Sequence, residues 1–324
     1  METTTELRPL IDQSPAATDS FREAALEGLA RDQKEIPSKF LYDERGSELF
    51  DKICRQDDYY STRTEMSIME AHVDAMVKAV GPRAQFVEYG SGSSLKTRIL
   101  LDHLEDLAVY VPMDISCRYL KQQAEELAEA YPDTPIQPLC ADYTAEFTLP
   151  EPPRPARRTV VYYPGSTIGN FQPADARAFL SGIRSVVGAE GGLLIGVDLL
   201  KDRDVIKAAY NDSAGVTAAF NKNLLRRMNR ELDAGFDLDQ FEHEGRWNPE
   251  EGCIEMHLCS TTAQTVEVAG TTFSFAEGET ILTEYSYKYT LDDFAALAAE
   301  AGFEVDTVWT DEQSYFSVQY CTAA

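Results

Sequence analysis

A glycine turn, Gly90-Ser91-Gly92, has the clearest potential to bind a ligand, because it follows a short apolar strand and precedes a helical segment. Glycine lacks a Cβ atom and accepts positive φ, so a ligand can approach the bare backbone of such a turn. The helix is predicted to begin near Ser93 or Ser94, either of which can cap it. The first N–H groups of a helix have no intrahelical partner, which favours an anionic or carboxylate-bearing ligand. Leu95 and Lys96 stand where the third glycine of the dinucleotide fingerprint would be, so the turn favours a smaller nucleoside over a nicotinamide or flavin dinucleotide.

Residues at the ends of the following strands complete a predicted nucleoside site. Asp114 ends the second predicted strand, 24 residues after Gly90, where a carboxylate can accept both hydroxyls of a ribose. Asp142 follows the third strand, near the expected adenine amino group, and Tyr143 can flank the adenine ring. Lys96 can pair with a ligand carboxylate. An adenosine with an amino-acid tail fits this set, and that ligand is S-adenosylmethionine. A helix N-cap role for Asp114 and a ligand-free turn are the structural alternatives.

A second group of polar residues can hold a small substrate. Glu284 and Ser286 lie two apart on a predicted strand, so both side chains point to the same face. A carboxylate beside a hydroxyl forms a hydrogen-bonding clamp for a group such as an imidazole. Asn170 offers an amide after the fourth strand, and Tyr210 offers a phenol. The alternative for the clamp is an ordinary solvated strand face.

The elements that must position these residues alternate as in an α/β fold. Strands are predicted at 86–89, 107–114, 135–140, 159–163 and 192–199, with helices at 64–80, 116–130 and 174–187. Residues 1–20 are expected to form a loose tail, followed by a helix over 21–31. From 201 to 230 the pattern is mostly helical, and 235–287 then alternates like antiparallel strands. A helix at 291–301 and strands at 303–309 and 315–321 return to the first pattern. The sequence therefore predicts a parallel sheet that is interrupted by a mixed insertion and closed by an antiparallel hairpin.

Composition sets the limits on function. The chain has 324 residues and a formal net charge of −26, so its surface repels nucleic acids and anionic membranes. That acidity suits either a salt-adapted or simply a well-solvated protein. No apolar run reaches membrane-spanning length, and the polar N-terminus is not a secretory signal. The six cysteines and four histidines are scattered, which predicts no metal site and unpaired thiols in a reducing cytoplasm. We expect a cytoplasmic monomer.

Six motifs occur in an order that is far more specific than any one of them. They are FLYD at 40–43 with GSELF at 46–50, YYSTRTE at 59–65, EYGSGS at 88–93, GSTIGN at 165–170, AGVTAAFN at 214–221 and LTEYS at 282–286. In these motifs the chain resembles, over nearly its full length, the histidine N-alpha-methyltransferases of ergothioneine biosynthesis. The resemblance implies a Rossmann-like class I methyltransferase sheet with an inserted mixed α+β substrate-binding domain. It also implies three methyl transfers from S-adenosylmethionine to the α-amine of L-histidine, giving hercynine.

The same resemblance assigns residues and segments. It implies a substrate carboxylate held by Asn170 and Tyr210 and an imidazole held by Glu284 and Ser286, with Tyr42 nearby, Tyr59 and Tyr285 beside the substrate, and Met256 in the pocket wall. It implies cofactor contacts from Gly90, Lys96, Asp114, Asp142 and Tyr143. Four segments are expected: 1–62 packing with the substrate domain, 63–200 binding the cofactor, 201–287 inserted, and 288–324 returning to the cofactor domain. No general base is assigned.

Departures and alternatives accompany this prediction. Tyr143 stands where the family usually has phenylalanine, and Tyr163-Pro164 precedes the glycine of the fourth-strand motif. A sister group methylates a prenylated tryptophan and should lack the Glu284–Ser286 clamp, so the pair favours histidine. A related enzyme acting on another amino acid, a nicotinamide-dependent oxidoreductase and a non-catalytic binding module are the other readings.

Overall fold

The computed structural model describes residues 7–14, 17–92 and 94–324, with residues 17–19 described by their backbone alone. The chain forms two compact units. The first contains the described residues up to Ser14, together with Ser61–Leu200 and Lys288–Ala324. The second contains the described part of Pro15–Tyr60 and Lys201–Tyr287.

The strands and helices have the following bounds in chain order. The strands are β1 (Ile11–Asp12), β2 (Lys34–Glu35), β3 (Ala84–Tyr89), β4 (Val109–Asp114), β5 (Leu139–Cys140), β6 (Arg158–Tyr163), β7 (Gly192–Asp198), β8 (Phe241–Asn248), β9 (Cys253–Ser260), β10 (Gln264–Val268), β11 (Thr271–Phe275), β12 (Thr280–Tyr287), β13 (Phe303–Thr310) and β14 (Phe316–Ala323). The α-helices are α1 (Ala17–Leu29), α2 (Glu44–Ile53), α3 (Tyr60–Val80), α4 (Leu95–Leu101), α5 (Cys117–Ala130), α6 (Pro173–Val187), α7 (Arg203–Tyr210), α8 (Val216–Glu231) and α9 (Leu291–Glu300). Short 3-10 helices span Ser38–Leu41, Thr167–Asn170 and Leu238–Gln240.

The first unit is built on one sheet, whose described strands have the order β1-β5-β4-β3-β6-β7-β14-β13. Neighbouring strands from β1 to β7 in this order pair in parallel. Strand β14 runs antiparallel to both β7 and β13. Every residue of β3 and β7 is buried, as expected for central parallel strands covered on both faces. The predicted α/β sheet with a closing antiparallel hairpin is confirmed.

Two predictions at the β5 edge of this sheet are wrong. The third strand was expected over 135–140, but the regular strand covers only Leu139–Cys140, and Ile136 makes isolated parallel bridges with Tyr110 and Leu7. Pro135 and Pro138 have no N–H to donate to a ladder, which explains the short element. Part of the expected loose tail is ordered against this edge, since β1 pairs with β5 and the N–H of Arg8 donates to the carbonyl of Ile136 at 2.9 Å. Residues 1–6 lie outside the described residues.

The second unit has its own sheet, with the order β2-β12-β9-β8, and a separate β10–β11 hairpin. Strand β8 lies within the stretch predicted to alternate like antiparallel strands, but its bounds were not predicted. Its sequence alternates charged Glu242, Glu244 and Arg246 with less polar neighbours, and that pattern could have identified it. Strands β9 and β12 pair antiparallel, with a register shift between Leu282 and Glu284. This shift lies next to the predicted imidazole clamp.

The expectation of unpaired thiols is wrong for two cysteines. Cys117 and Cys140 form a disulfide, whereas Cys54, Cys253, Cys259 and Cys321 remain thiols. Among the described residues, no helix is both long and apolar enough to cross a membrane.

Candidate active site

The glycine turn joins β3 to α4 and is fastened to the neighbouring strand. Gly90 has φ 73° and Gly92 has φ 45°, both in the left-handed region that favours glycine. The N–H groups of Gly90 and Ser91 donate to the carbonyl of Met113 at 2.9 and 3.1 Å. The N–H of Gly92 donates to Oδ2 of Asp114 at 3.3 Å. The turn and the predicted ribose-binding carboxylate are therefore held together.

The start of α4 differs from the simple cap that the sequence suggested. Ser94 occupies the N-cap position with φ 56°, and its side chain makes no capping hydrogen bond. Ser93, the other predicted cap, lies outside the described residues. Over the described part of the chain, Oγ of Ser91 and Oγ of Ser94 are both buried and lack a hydrogen-bond partner. Buried hydroxyls are nearly always hydrogen-bonded, so two such atoms at one turn fit a site for a polar ligand.

The carboxylate of Asp114 has both oxygens positioned by backbone groups. Oδ1 accepts a hydrogen bond from the N–H of Ser116 at 2.9 Å, and Oδ2 accepts the bond from Gly92. Burial raises the pKa of Asp114, and these backbone hydrogen bonds oppose the rise. A carboxylate has about four acceptor positions, so each oxygen can still accept a ligand hydroxyl.

Asp142 and Tyr143 lie just after β5, the strand that neighbours β4 in the sheet. Oδ1 of the buried Asp142 accepts hydrogen bonds from the N–H and the hydroxyl of Thr144, at 2.9 and 2.5 Å. The ring of Tyr143 stacks on that of Tyr89, with centroids 5.4 Å apart and an interplanar angle of 7°. Burial raises the pKa of Tyr143 to about 12, so its phenol stays neutral. The ring fits the predicted flat surface beside an adenine.

Glu65 is a residue that the sequence analysis did not single out, yet it organises this region. Its side chain is completely buried in α3, and both carboxylate oxygens accept from the N–H of Gly165, at 3.1 and 3.0 Å. Lys96 Nζ lies 2.5 Å from Oε2 of Glu65. A Cβ at Gly196 would lie 2.2 Å from the Glu65 carboxylate, so a glycine is needed at that point of β7. Lys96, predicted to bind a cofactor carboxylate, is thus already oriented by a buried acid.

The loop that carries Asn170 is fixed at several points. Ser166 has φ 56°, and its Oγ accepts from the N–H of Asp198 at 2.8 Å. Asp198 forms a buried ion pair with Lys288, with Oδ2 and Nζ 2.7 Å apart. Together with the hydrogen bonds from Gly165 to Glu65, these contacts hold the residues before the 3-10 helix Thr167–Asn170 in place. Asn170 is half-buried at the end of that helix.

A second buried acid lies directly before the turn. Glu88 accepts hydrogen bonds from the hydroxyls of Thr97, at 2.5 Å, and Tyr110. Burial raises its pKa to about 7, although both hydrogen bonds and the nearby Lys96 lower it. Glu88 therefore supports the β3–α4 connection with a side chain that is partly protonated near neutral pH.

In the second unit, Glu284 and Ser286 lie on the same face of β12, as predicted, and both are buried. The hydroxyl oxygens of Ser286 and Tyr210 are 2.5 Å apart. Met256 is buried on β9 and pairs directly with Glu284 in the strand register. A carboxylate, two coupled hydroxyls and a thioether thus come together within this unit.

The register shift in β12 is stabilised by α8. The hydroxyl of Thr283 lies 2.7 Å from Oδ1 of Asn221 and 3.0 Å from the carbonyl of Met256, and its one proton can be donated to either acceptor. Nδ2 of Asn221 donates to the carbonyl of His257 at 3.1 Å. Asn221 is completely buried. This side chain bridges β9 and β12 where Glu284 leaves the regular ladder.

Aromatic rings surround the clamp. Tyr42 packs edge-on against Phe50 and Phe220, with centroids 5.5 and 5.4 Å away. Tyr59 packs edge-on against Tyr210 at 6.4 Å. Burial raises the pKa of Tyr59 well above its usual range, and the neighbouring Tyr210, Cys54, Tyr42 and Glu284 add to the rise. Tyr59 is therefore a neutral phenol.

Comparison with known proteins gives the family. Residues 21–323 match the family described as histidine-specific methyltransferase, dependent on S-adenosylmethionine. The chain belongs to this family. A histidine N-alpha-methyltransferase of Mycolicibacterium smegmatis is 42% identical over 308 residues, 94% of this chain and 95% of that one. A protein of the same name from Mycobacterium tuberculosis is 40% identical over 304 residues, 92% of this chain and 94% of that one. A solved S-adenosylmethionine-dependent methyltransferase from Clostridium acetobutylicum aligns with a TM-score of 0.48 at 10% identity, over 86% of this chain and 98% of that one.

One residue of this methyltransferase is placed differently from the arrangement expected. Tyr285 was expected beside the substrate with Glu284 and Ser286. The pleat of β12 points Tyr285 to the other face, where its ring lies 5.9 Å from that of Tyr287. The role of Tyr285 beside the substrate stays a prediction.

Asp43 shows how the FLYD motif of this methyltransferase positions Tyr42. Oδ1 of Asp43 caps α2 through the N–H of Gly46 and also accepts from Nδ2 of Asn223, both at 2.7 Å. Oδ2 pairs with Arg230 at 2.7 Å. Asp43 thereby ties the segment before α2 to α8. Its position as a helix cap was readable from the sequence, but its long-range partners were not.

Proposed function

We propose that this methyltransferase transfers three methyl groups from S-adenosylmethionine to the α-amine of L-histidine, producing hercynine in the first step of ergothioneine biosynthesis. The observation that carries the proposal is the buried group of Glu284, Ser286 and Tyr210, with its two hydroxyls 2.5 Å apart. A carboxylate and two hydroxyls in one buried group can together accept from and donate to a polar ring such as an imidazole. The family and the two mycobacterial relatives named for histidine support the same substrate.

For the cofactor, we propose that Asp114 accepts the ribose hydroxyls and that Asp142 accepts the adenine amino group. Tyr143 covers the ring, and Gly90 allows close approach to the turn. Lys96 binds the carboxylate of the methionine moiety, and Glu65 holds the side-chain ammonium of Lys96 in place. The orphaned hydroxyls of Ser91 and Ser94 support a polar ligand at this turn.

For the substrate, we propose that Glu284 accepts an N–H of the imidazole and that Ser286 bonds the ring through its hydroxyl. Tyr210 orients Ser286 and reaches the substrate carboxylate, to which Asn170 also donates. Tyr42, Tyr59 and Met256 form apolar walls around the ring. A ligand held at several points loses its freedom to rotate. Orienting the reactants in this way can lower the activation free energy by about 7–11 kcal/mol.

The reaction requires little acid–base catalysis from the protein. S-adenosylmethionine supplies a methyl group on an electrophilic sulfonium. The protein must present the neutral α-amine in line with that carbon and exclude competing nucleophiles. The raised pKa of Tyr59 keeps its phenol protonated, so it cannot act as an anionic base at neutral pH. The α-ammonium loses its proton to water or to a nearby phenol, and no general base is assigned.

The test is a competition among substrates. The purified enzyme is incubated with S-adenosylmethionine and an equimolar mixture of amino acids, and mass spectrometry identifies the methylated products. Histidine should gain three methyl groups, and fragmentation should place all of them on the α-nitrogen. Nα-acetylhistidine, which keeps the imidazole but blocks the amine, should remain unmodified. Methylation of tryptophan or another amino acid in preference to histidine, or of an imidazole nitrogen, would contradict the proposal.

A further inference from the structure

The disulfide between Cys117 and Cys140 lies beside two of the proposed cofactor residues. Cys117 is the first residue of α5, and Cys140 is the last residue of β5. Their Cα atoms are 5.1 Å apart, within the range of native disulfides. The bond closes a segment between positions 23 residues apart, and no spacing rule predicts it from the sequence.

The disulfide ties together the segments that carry Asp114 and Asp142. Cys140 pairs directly with Asp114 in the parallel register of β4 and β5, and the N–H of Ala141 donates to the carbonyl of Asp114 at 3.2 Å. Asp142 follows two residues after Cys140, and Cys117 follows three residues after Asp114. A change at the disulfide is therefore transmitted through at most three residues to either carboxylate.

Reduction removes a covalent link between the start of α5 and the end of β5. Bonded sulfurs lie about 2 Å apart, whereas non-bonded heavy atoms settle at about 3.5–4 Å. Cys140 is completely buried, and its Sγ is 3.8 Å from the carbonyl of Ile115. After reduction the start of α5 and the end of β5 are no longer covalently held at one spacing. The two carboxylates would then lose part of their fixed geometry.

We propose that Cys117 and Cys140 form a reversible thiol–disulfide site and that the oxidised form binds S-adenosylmethionine more tightly than the reduced form. This inference rests on the cofactor roles proposed above for Asp114 and Asp142. A rigid site loses less freedom when its ligand binds, so the cross-linked form has the higher affinity.

The oxidation is a thiol–disulfide exchange with a small-molecule disulfide. The half-exposed Cys117 provides the entry point. Its thiolate attacks one sulfur of the reagent, forms a mixed disulfide and releases one small thiol. The thiolate of Cys140 then attacks Sγ of Cys117 and releases the second small thiol. Two protein thiols are oxidised, the reagent is reduced to two thiols, and the protons of the protein thiols balance the charges on the products.

The surroundings disfavour Cys321 as a competing reactive thiol and disfavour a metal ion in the oxidised form. The thiol of Cys321 is buried, and burial raises its pKa to about 12, so it has little reactive thiolate. Asp12 lies close to the pair, with Oδ1 3.9 Å from Sγ of Cys117. This acid and the two cysteines are grouped closely enough to suggest a metal site, but the bonded sulfurs provide no thiolate ligand in the oxidised form.

The test compares cofactor affinity in the two redox states of the full-length enzyme. One sample is equilibrated with oxidised glutathione and another with dithiothreitol; both are freed of reagent, and thiols are counted by mass spectrometry. Isothermal titration with S-adenosylmethionine should give a Kd about fivefold lower for the oxidised sample. Cys117→Ser and Cys140→Ala should each have the affinity of the reduced wild type and should not respond to oxidation. Cys259→Ser, which removes a thiol of the second unit, should keep the full response.

Equal Kd values for the two redox states would overturn the inference, as would a thiol count showing that oxidised glutathione leaves Cys117 and Cys140 reduced. Asp114→Ala, titrated in the same series, tests the proposed cofactor site separately and should bind more weakly in both states. Wild-type affinity for S-adenosylmethionine in Asp114→Ala would reject the ribose-binding role of Asp114. The redox response is measured on the wild type, so it is judged separately.

Discussion

The hydroxyl oxygens of Tyr210 and Ser286 lie 2.5 Å apart and are both buried. Tyr210 ends α7 and Ser286 lies on β12, so the contact joins a helix to the strand that carries Glu284. Either hydroxyl can be the donor in this hydrogen bond. This contact links Tyr210, proposed to bind the substrate carboxylate, to Ser286 of the proposed imidazole clamp.

The first prediction concerns this pair. Tyr210→Phe should raise the KM for histidine about tenfold, because the lost hydroxyl bonds Ser286 and the proposed substrate. The Kd for S-adenosylmethionine should stay the same, because this hydroxyl is not among the proposed cofactor contacts. Ser286→Ala should have a smaller effect in the Tyr210→Phe background than in the wild type, since the two hydroxyls act together. Steady-state kinetics of the two single variants and the double variant measure the coupling.

Tyr287→Phe is the matched control for that experiment, because it removes a buried phenol from the opposite face of β12. Its KM for histidine should equal that of the wild type. Strictly additive effects of Tyr210→Phe and Ser286→Ala would show that the hydroxyls act independently and would refute the coupling.

The second prediction concerns the ion pair of Glu65 and Lys96. Lys96→Met should lower the free energy of unfolding by about 3 kcal/mol, because it leaves the fully buried Glu65 carboxylate without its cation. Adding Glu65→Gln should recover about 1–2 kcal/mol, since the uncompensated charge is then gone. Denaturant unfolding followed by tryptophan fluorescence provides the values.

Lys121→Met is the control, since Lys121 forms an exposed pair with Glu125 on α5. Lys121→Met should lower the free energy of unfolding by less than about 1 kcal/mol. If Lys96→Met were as mild as Lys121→Met, Glu65 would not depend on Lys96 and the proposed positioning would be wrong.

The third prediction concerns the pH dependence that Glu88 imposes on stability. The pKa of this carboxyl is raised from 4.5 to about 7 by burial. Between those values the unfolded chain releases a proton that the folded protein retains, so stability falls as pH rises through this window and levels off above it. The shift corresponds to a loss on the order of 3 kcal/mol. Glu88→Gln keeps the shape of the side chain and should remove this contribution.

Thermal unfolding of both proteins between about pH 5 and about pH 8 measures the effect. The stability of Glu88→Gln relative to the wild type should increase with pH across that range. Glu304→Gln, which alters an exposed residue of β13, should show no such trend. A difference between Glu88→Gln and the wild type that stays constant with pH would contradict the prediction.

The sequence predicted the parallel sheet because its signals are local. Parallel strands bring their carboxyl ends to one edge, so Asp114 and Asp142 could be grouped without coordinates. Glu65 escaped notice because its partner Gly165 lies 100 residues away, and helical periodicity gives no reason for a buried acid. Asn221 was part of a motif, but only the fold shows it bridging β9 and β12.

Other errors arose where an element is too short for a pattern. Strand β1 has two residues, and β5 is shortened by prolines, so neither shows alternation. The Cys117–Cys140 disulfide depends on these elements and on the start of α5, which explains why scattered cysteines appeared unpaired. Alternation along β12 places Tyr285 on the other face from Glu284, and its role beside the substrate stays a prediction.

The most direct test of the account is the affinity of Glu284→Ala for its two ligands. Isothermal titration should show the Kd for histidine raised about ten- to hundredfold, because a charged hydrogen-bond acceptor for the imidazole is lost. The Kd for S-adenosylmethionine should be unchanged. Glu267→Ala, which alters an exposed glutamate of β10, should match the wild type for both ligands. Wild-type affinity for histidine in Glu284→Ala would contradict the imidazole clamp and the histidine specificity that depends on it.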